Sequence, residues 1–441
     1  MERAKLNHNI RFYLITLTII VYIVAGAASV GGITIYLALL FISAGIGLMD
    51  MTRGITENMP VYGRKLYNYC VLMMVFIALS FAFNFISFSF SFNRMILIVC
   101  SMGFTFLCAN TLRSPYEIRK VCWAVIIPTA ISAIVVIGQG MNIDAAYRFA
   151  NIFGAGSESE VLSLSLKSER YYGLAKSALY FGYQASAAVA MLAFMPQKVK
   201  STKTKYFRFV LLCIFIISLL FNRTRSAQIS VIIILLVKLV HSGRISLTRK
   251  MLLRGSILLV LIALFGAYAL RHMDVNELIS AMRLDELDHA GTTARIPMFL
   301  TAMNSGIHHP FGMGIYRANP EYVIGVTNAR EVSYVLNNAC HNLLANCVGN
   351  HGIFTGILLV ALYIATFKEC MVLRKSIAGD LLEMTIGTGL AIAMLLLNGA
   401  MHNLYIFSGD LLTWLSLGVL VAIHYCSSDM TMRLEGESCS Q

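Results

Sequence analysis

The sequence predicts an all-α, polytopic membrane protein that crosses the bilayer about twelve times. Only 13% of its 441 residues are charged and 58% are hydrophobic, whereas an average soluble protein has about 25% charged residues. The mean hydropathy is +0.72, and apolar runs long enough to span a bilayer recur from Phe12 to Tyr425. These three observations exclude a soluble enzyme, a disordered chain and a nucleic-acid-binding domain.

Each predicted span is an apolar run near the length of about 20 residues that a helix needs to cross roughly 30 Å of hydrocarbon. We interpret residues 1–441 as one integral membrane domain in the lipid bilayer. By this measure, its twelve spans lie at residues 12–28, 32–49, 67–86, 94–111, 121–139, 176–195, 207–222, 226–240, 253–270, 342–366, 381–398 and 409–425.

The distribution of lysine and arginine predicts which ends of the spans face the cytoplasm. Of the 35 Lys and Arg residues, 23 fall in segments that are inside if the N-terminus is cytoplasmic, and cytoplasmic loops carry an excess of such residues. Because the number of spans is even, both termini are predicted to be cytoplasmic. The two longest loops, 140–175 and 271–341, are then outside, and the second has the patterning of a partly helical cap. Long loops are often functional, which favours a site at the outer face.

Four arginines are notable because the same charge bias disfavours cations at the outer ends of spans. Arg223 and Arg225 lie in a tight turn between two predicted spans of only about fifteen residues each, so we expect them below the outer surface, facing a polar cavity. Arg170 precedes the sixth span, and Arg295 opens a helical stretch in the second loop. The alternatives are an outer turn whose arginines reach lipid phosphates and, for Arg170 and Arg295, surface salt bridges.

His341 lies at the predicted outer membrane boundary, where the tenth span begins. An imidazole, with an unperturbed pKa of about 6.5, can accept a proton there; a structural histidine is the simpler alternative. Asn342 belongs to a stripe of asparagines that recurs every four residues, and such side chains commonly hydrogen-bond neighbouring membrane helices. The sequence has no Walker A motif and no metal-ligand spacing, so we predict neither a metal nor a cofactor.

Four motifs follow one another in the second half of the chain. They are Arg170-Tyr-Tyr-Gly173, Thr224-Arg225-Ser226, a stretch from Arg295 to His309-Pro-Phe-Gly-Met-Gly314, and a stretch from His341-Asn342 to Gly349-Asn-His-Gly352. Their order, spacing and membrane position resemble the O-antigen polymerase/O-antigen ligase superfamily of bacterial membrane glycosyltransferases. The resemblance covers residues 165–425, and the first five spans are similar only in hydropathy.

The resemblance implies a membrane glycosyltransferase-like bundle in the bacterial inner membrane, with its active site facing the periplasm. The donor would be a glycan on undecaprenyl diphosphate, the acceptor a second lipid-linked repeat unit or lipid A–core, and a further partner a chain-length regulator protein. His341 would act as the general base. The residues that would hold the diphosphate are Arg170, Arg223, Arg225 and Arg295. Secondary candidates for the site are Asn342, His309 and His402.

Ligases of this superfamily often carry a second histidine two residues before the catalytic one, and Ala339 occupies that position here. This difference favours a polymerase, which joins one repeat unit to another, over a ligase, which transfers the finished chain. A polysaccharide flippase or secondary transporter is the alternative from another class. Transporters tend to contain two similar halves, and we find no such repeat in the sequence.

Overall fold

The computed structural model describes residues 2–26, 28–30, 33–52, 60–83, 88–155, 170–196, 202–243, 295–313, 320–326, 332–333, 335, 340–402 and 410–438. Within these ranges the chain forms thirteen α-helices: α1 (Glu2–Ala25), α2 (Ile35–Thr52), α3 (Val61–Phe83), α4 (Phe88–Thr111), α5 (Pro115–Gly140), α6 (Asp144–Ile152), α7 (Ala178–Ala193), α8 (Thr202–Asn222), α9 (Arg225–His241), α10 (Arg295–His308), α11 (Leu343–Ser376), α12 (Gly379–Met401) and α13 (Leu411–Ser438). Two-residue strands, β1 (Ser29–Val30) and β2 (Ile33–Thr34), pair antiparallel between α1 and α2. A 3₁₀ turn covers Pro320–Tyr322.

The helices confirm an all-helical, multi-pass architecture. Eleven of the predicted spans coincide with described helices, and the remaining one, 253–270, lies outside the described residues. By length and composition, seven of the described helices can cross a membrane. The total of twelve spans therefore stays a prediction. The second long loop contains α10. Its residues 271–294 lie outside the described part, so the outward cap stays a prediction.

The helices on either side of the Arg223 turn are longer than predicted. α8 has 21 residues and α9 has 17, whereas the apolar runs had indicated spans of about fifteen. α8 is longer because its first turn contains lysines, which are good helix formers although they are not apolar. The prediction of two unusually short helices was therefore wrong for α8, and helix length does not account for the position of the arginines.

Small residues let the central helices approach one another closely. α2 meets α4 at Gly47, where an added Cβ would lie 2.0 Å from the carbonyl oxygen of Gly103. α13 meets α4 where the Thr105 hydroxyl donates to the carbonyl oxygen of Trp414 over 3.0 Å, and the Trp414 side chain is fully buried. Such contacts are typical of membrane bundles, in which close packing and interhelical hydrogen bonds drive association.

Ion pairs join helices at one end of the bundle, which the predicted topology places in the cytoplasm. They connect five helices through Arg11–Asp50 at 2.7 Å, Arg119–Asp380 at 2.6 Å and Lys238–Glu383 at 2.8 Å. The helices α9 and α12 carry such pairs at this end, and their other ends reach the cavity described below. The ion pairs and the cavity thus lie at opposite ends of the bundle.

α11 is interrupted at Gly352, whose φ of 88° and ψ of 167° are not helical. The turn that follows α10 packs against this interruption. Met313 donates its backbone N–H to the carbonyl oxygen of Gly349 over 2.9 Å, and a Cβ on Gly352 would lie 2.1 Å from the carbonyl oxygen of Pro310. Glycine is therefore required at position 352 both by its positive φ and by the close approach of a second backbone.

This contact sets the direction of α10. Because the end of α10 meets the interruption in α11, α10 runs alongside the first part of α11, and its first residue, Arg295, lies near His341, which precedes that helix. The space between the two helices is filled by a small apolar cluster of Met298, Ala302, Val335, Cys340 and Ala345. The interruption in α11 therefore positions one part of the candidate site.

We expect Gly352→Ala to lower the unfolding midpoint of the purified full-length protein in detergent. An L-residue with this positive φ and extended ψ costs about 1–3 kcal/mol, and here its Cβ would also collide with Pro310. Gly379→Ala is the matched control, because Gly379 has a φ of +63° and no atom lies within 4 Å of an added Cβ. Equal midpoints for the two variants would show that the contact with Pro310 contributes nothing.

Candidate functional site

A cavity of about 440 Å³ lies where α7, α8, α9 and α12 meet the start of α10 and the segment before α11, at the end of the bundle that the predicted topology places outside. The structure brings together here all four arginines and two of the histidines that the sequence predicted. The residues that line the cavity are Arg170, Leu179, Arg223, Thr224, Arg225, Ser226, Ile229, Arg295, His341, Met401 and His402. The chemical role of each one stays a prediction.

The segment that carries Arg170 is held by hydrogen bonds from α5. The side-chain oxygen Oε1 of Gln139 accepts the backbone N–H of Gly173 at 2.9 Å and that of Tyr172 at 3.3 Å. Gly173 has a φ of +61°, and a Cβ there would lie 2.5 Å from the carbonyl oxygen of Ser132. The glycine of the Arg170-Tyr-Tyr-Gly173 motif is thus explained by backbone geometry.

Asn222 ties the turn between α8 and α9 to the Arg170 segment. Its side chain is fully buried, and its Nδ2 donates to the carbonyl oxygens of Tyr171 at 2.6 Å and Ala178 at 2.9 Å. The next residue, Arg223, has a φ of 58°, a conformation that non-glycine residues rarely adopt and that often occurs at functional sites. Arg225 then opens α9. Three arginines are therefore held on one hydrogen-bonded unit.

Asn342 is a helix cap and does not line the cavity. Its Oδ1 accepts the backbone N–H groups of Leu344 at 2.9 Å and Ala345 at 3.0 Å, and its Nδ2 donates to the carbonyl oxygen of Ala400 at 3.2 Å. The first two bonds satisfy donors that the start of a helix leaves free. The third joins the start of α11 to the end of α12. Asn342 thereby fixes His341 beside His402.

The imidazole of His341 is half-buried in the cavity wall. Its Nδ1 is buried and has no hydrogen-bond partner among the described residues, so Nε2 is the nitrogen that can face a ligand. Burial, and then the positive charge of Arg295, lower the pKa of His341 below its usual 6.5. At neutral pH the ring is uncharged and can accept a proton.

His402 also faces the cavity, whereas His309 does not line it. The Nε2 of His402 lies 3.2 Å from the hydroxyl oxygen of Ser226. The Nε2 of His309 lies 3.1 Å from the hydroxyl oxygen of Tyr322, in the turn that packs against the interrupted helix α11. Of the three secondary candidates, only His402 lies among the lining residues of the described chain.

Sequence reasoning did not identify the residues that support the arginines, namely Gln139, Ser132 and Asn222. A single amide side chain at the end of an apolar helix, as at Gln139, was the available signal. The apolar side of the cavity, Leu179, Ile229 and Met401, was also not predicted, because these residues belong to ordinary apolar runs. Within the described residues, no group of three His, Cys, Asp or Glu side chains is arranged to hold a metal ion.

Comparison with known proteins identifies one family. A family model described as O-antigen ligase matches residues 209–360, which is 152 of the 441 residues and contains Arg223, Arg225, Arg295 and His341. The match confirms the resemblance to the O-antigen ligase and polymerase superfamily. No curated protein matches the chain significantly.

Proposed function

Proceeding from this family match, we propose that the protein is a polysaccharide polymerase of the bacterial inner membrane. It transfers a glycan from an undecaprenyl diphosphate donor to a sugar hydroxyl of a second lipid-linked repeat unit at the periplasmic face. The observation that carries the proposal is the convergence of four guanidinium groups and two imidazoles on one cavity. Because the matching family is described as O-antigen ligase, we assign these groups to a glycosyltransferase that acts in surface-polysaccharide assembly.

The arginines suit a diphosphate leaving group. A guanidinium group forms two parallel hydrogen bonds to phosphate oxygens and stays charged at every physiological pH. Groups arranged in this way before the reaction stabilise charge that develops on the leaving group, which is usually the largest contribution to catalysis. The charges of the four arginines that line the cavity give it a positive potential, which favours a diphosphate.

In the proposed step, the oxygen of the acceptor hydroxyl forms a bond to the anomeric carbon of the donor sugar. The bond between that carbon and the diphosphate oxygen breaks, and its electron pair leaves with the diphosphate. The hydroxyl proton passes to Nε2 of His341. A general base positioned in this way contributes roughly 10²- to 10⁴-fold to the rate.

The apolar side of the cavity supports a lipid-linked donor. Ile229 lines the cavity next to the arginines and is 45% exposed, and exposed apolar side chains continue along α9 at Ile232 and Leu236. These positions are three and seven residues further along, so they share one helix face. A polyprenyl tail can follow this face into the bilayer while its diphosphate stays among the arginines.

The alternatives differ in what supports them. A ligase is supported by the description of the matching family, and a polymerase by Ala339, a position outside the described residues. A flippase or transporter needs a passage to both sides of the membrane. The ion pairs that join five helices at the opposite end favour a chamber open to one side.

Deletion of the gene in its native host, followed by gel analysis of lipopolysaccharide, tests the proposal. We expect one repeat unit on the lipid A–core, with long chains restored by a plasmid-borne copy. Bare core with accumulated lipid-linked polymer would identify a ligase instead. Bare core with single repeat units retained on the cytoplasmic leaflet would identify a flippase. An unchanged pattern would contradict all three.

A further inference from the structure

His402 lies in a fixed position at the end of α12. It is the first residue after that helix, with extended backbone dihedrals of −142° and 170°. Two contacts hold it there. Asn342 hydrogen-bonds the carbonyl oxygen of Ala400 at 3.2 Å, and Ser226 lies 3.2 Å from the Nε2 of His402 itself. The first contact holds the backbone next to His402, and the second orients its ring toward Ser226.

The surroundings of His402 are cationic. Arg295 and Arg170 disfavour a positive charge on its ring, and Arg223 and Arg225 line the same cavity. The neutral imidazole of His341 also lines it. From α7, the Tyr183 ring lies 6.2 Å from the imidazole, and Ser226 approaches from α9. Burial, and then the positive charge of Arg295, lower the pKa of His402 to about 4, so the ring is neutral at pH 7.

A neutral imidazole has one N–H donor and one lone-pair acceptor. With Nε2 next to Ser226, the remaining nitrogen, Nδ1, makes no hydrogen bond to another residue in the part of the chain that the structure describes. A neutral ring adds no positive charge to hold a diphosphate. The arginines already supply that charge. It can, however, hydrogen-bond an uncharged sugar hydroxyl.

We infer that His402 binds a non-reacting hydroxyl of the acceptor sugar through Nδ1, next to the hydroxyl that His341 deprotonates. The inference rests on the proposed function, and it assigns acceptor recognition to a residue outside the segment that matches the family model. A site that hydrogen-bonds a substrate hydroxyl discriminates against analogues that lack it, because its own polar group is then left unpaired. His402 would thereby help to select the acceptor.

The test uses the purified full-length protein in lipid nanodiscs, a lipid-linked repeat-unit donor and a series of acceptor analogues that each lack one hydroxyl. His402→Phe keeps a ring and removes its hydrogen bonds. We expect the KM for the complete acceptor to rise about tenfold, which corresponds to one hydrogen bond. The KM for the donor and the acid limb of the pH profile should stay unchanged.

The analogue that lacks the hydroxyl bound by His402 should have the same KM with the wild type and with His402→Phe, because neither protein can form that hydrogen bond with it. His402→Gln retains a donor and an acceptor and should recover part of the affinity, which a purely structural role would not predict. His308→Gln is the control, since His308 is an exposed residue of α10 that does not line the cavity.

Several outcomes would overturn the inference. A raised KM for the donor would place His402 on the diphosphate, and a lower kcat with a displaced acid limb would place it in proton transfer. Unchanged kinetics in both variants, or no deoxy acceptor that equalises wild type and variant, would remove its role in acceptor binding. A wild-type protein without any glycosyl transfer would contradict the proposed function itself, and the two failures are thus distinguishable.

Discussion

Arg295→Lys is expected to lower kcat/KM for the lipid-linked donor by about a hundredfold, the effect of losing one preorganised donor to developing charge. Lysine keeps the positive charge but offers a single ammonium group in place of a planar fork, so it cannot bind a phosphate bidentately. The measurement is transfer of glycan from the lipid-linked donor by purified protein. In cells, we expect the long polysaccharide chains to be lost from the lipopolysaccharide gel.

Arg148→Lys is the control for this substitution. Arg148 is an exposed arginine of α6 and does not line the cavity, so its replacement should leave transfer unchanged. Near-normal activity of Arg295→Lys would mean that charge alone is sufficient at this position, and the proposed bidentate contact with the diphosphate would be wrong.

His341→Gln is expected to reduce kcat by roughly 10²- to 10⁴-fold while leaving the KM for the donor almost unchanged. Glutamine can still hydrogen-bond a hydroxyl but cannot accept its proton at neutral pH. Because the pKa of His341 is lowered by burial and by Arg295, the wild-type activity should fall on the acid side only below pH 6.5. In that range the ring becomes protonated and ceases to act as a base.

A second substitution tests the assignment of this acid limb. Arg295→Gln removes a positive charge that disfavours protonation of His341, so the pKa should rise and the acid limb of the residual activity should move to higher pH. His308→Gln should change neither kcat nor the pH profile. An acid limb that persists unchanged in His341→Gln would show that another group titrates.

The helices were predictable because the bilayer sets a length that apolar runs must match. That measure fails where a helix continues through polar residues, as in the first turn of α8. The arginines of the site were found through the charge bias of the loops. The contact between Ser226 and His402 was not predictable, because it joins residues 176 positions apart and no local pattern encodes it.

The motif around His309 shows a further limit of sequence reasoning. Its residues resemble a site, yet His309 does not line the cavity, and the following turn packs its backbone against the interruption at Gly352. The interruption itself lies inside one predicted span, 342–366, so hydrophobic periodicity gave no indication of it. A motif of glycines and a proline here encodes the approach of two backbones.

The cavity has two walls that come from different parts of the chain. Asn222 joins the wall that carries Arg170, Arg223 and Arg225, and the docking of α10 at the interrupted α11 places Arg295 on the other. An anion that contacts arginines of both walls acts as a removable cross-link between them. The stiffness of the end of the molecule that holds the cavity should therefore depend on whether that anion is bound.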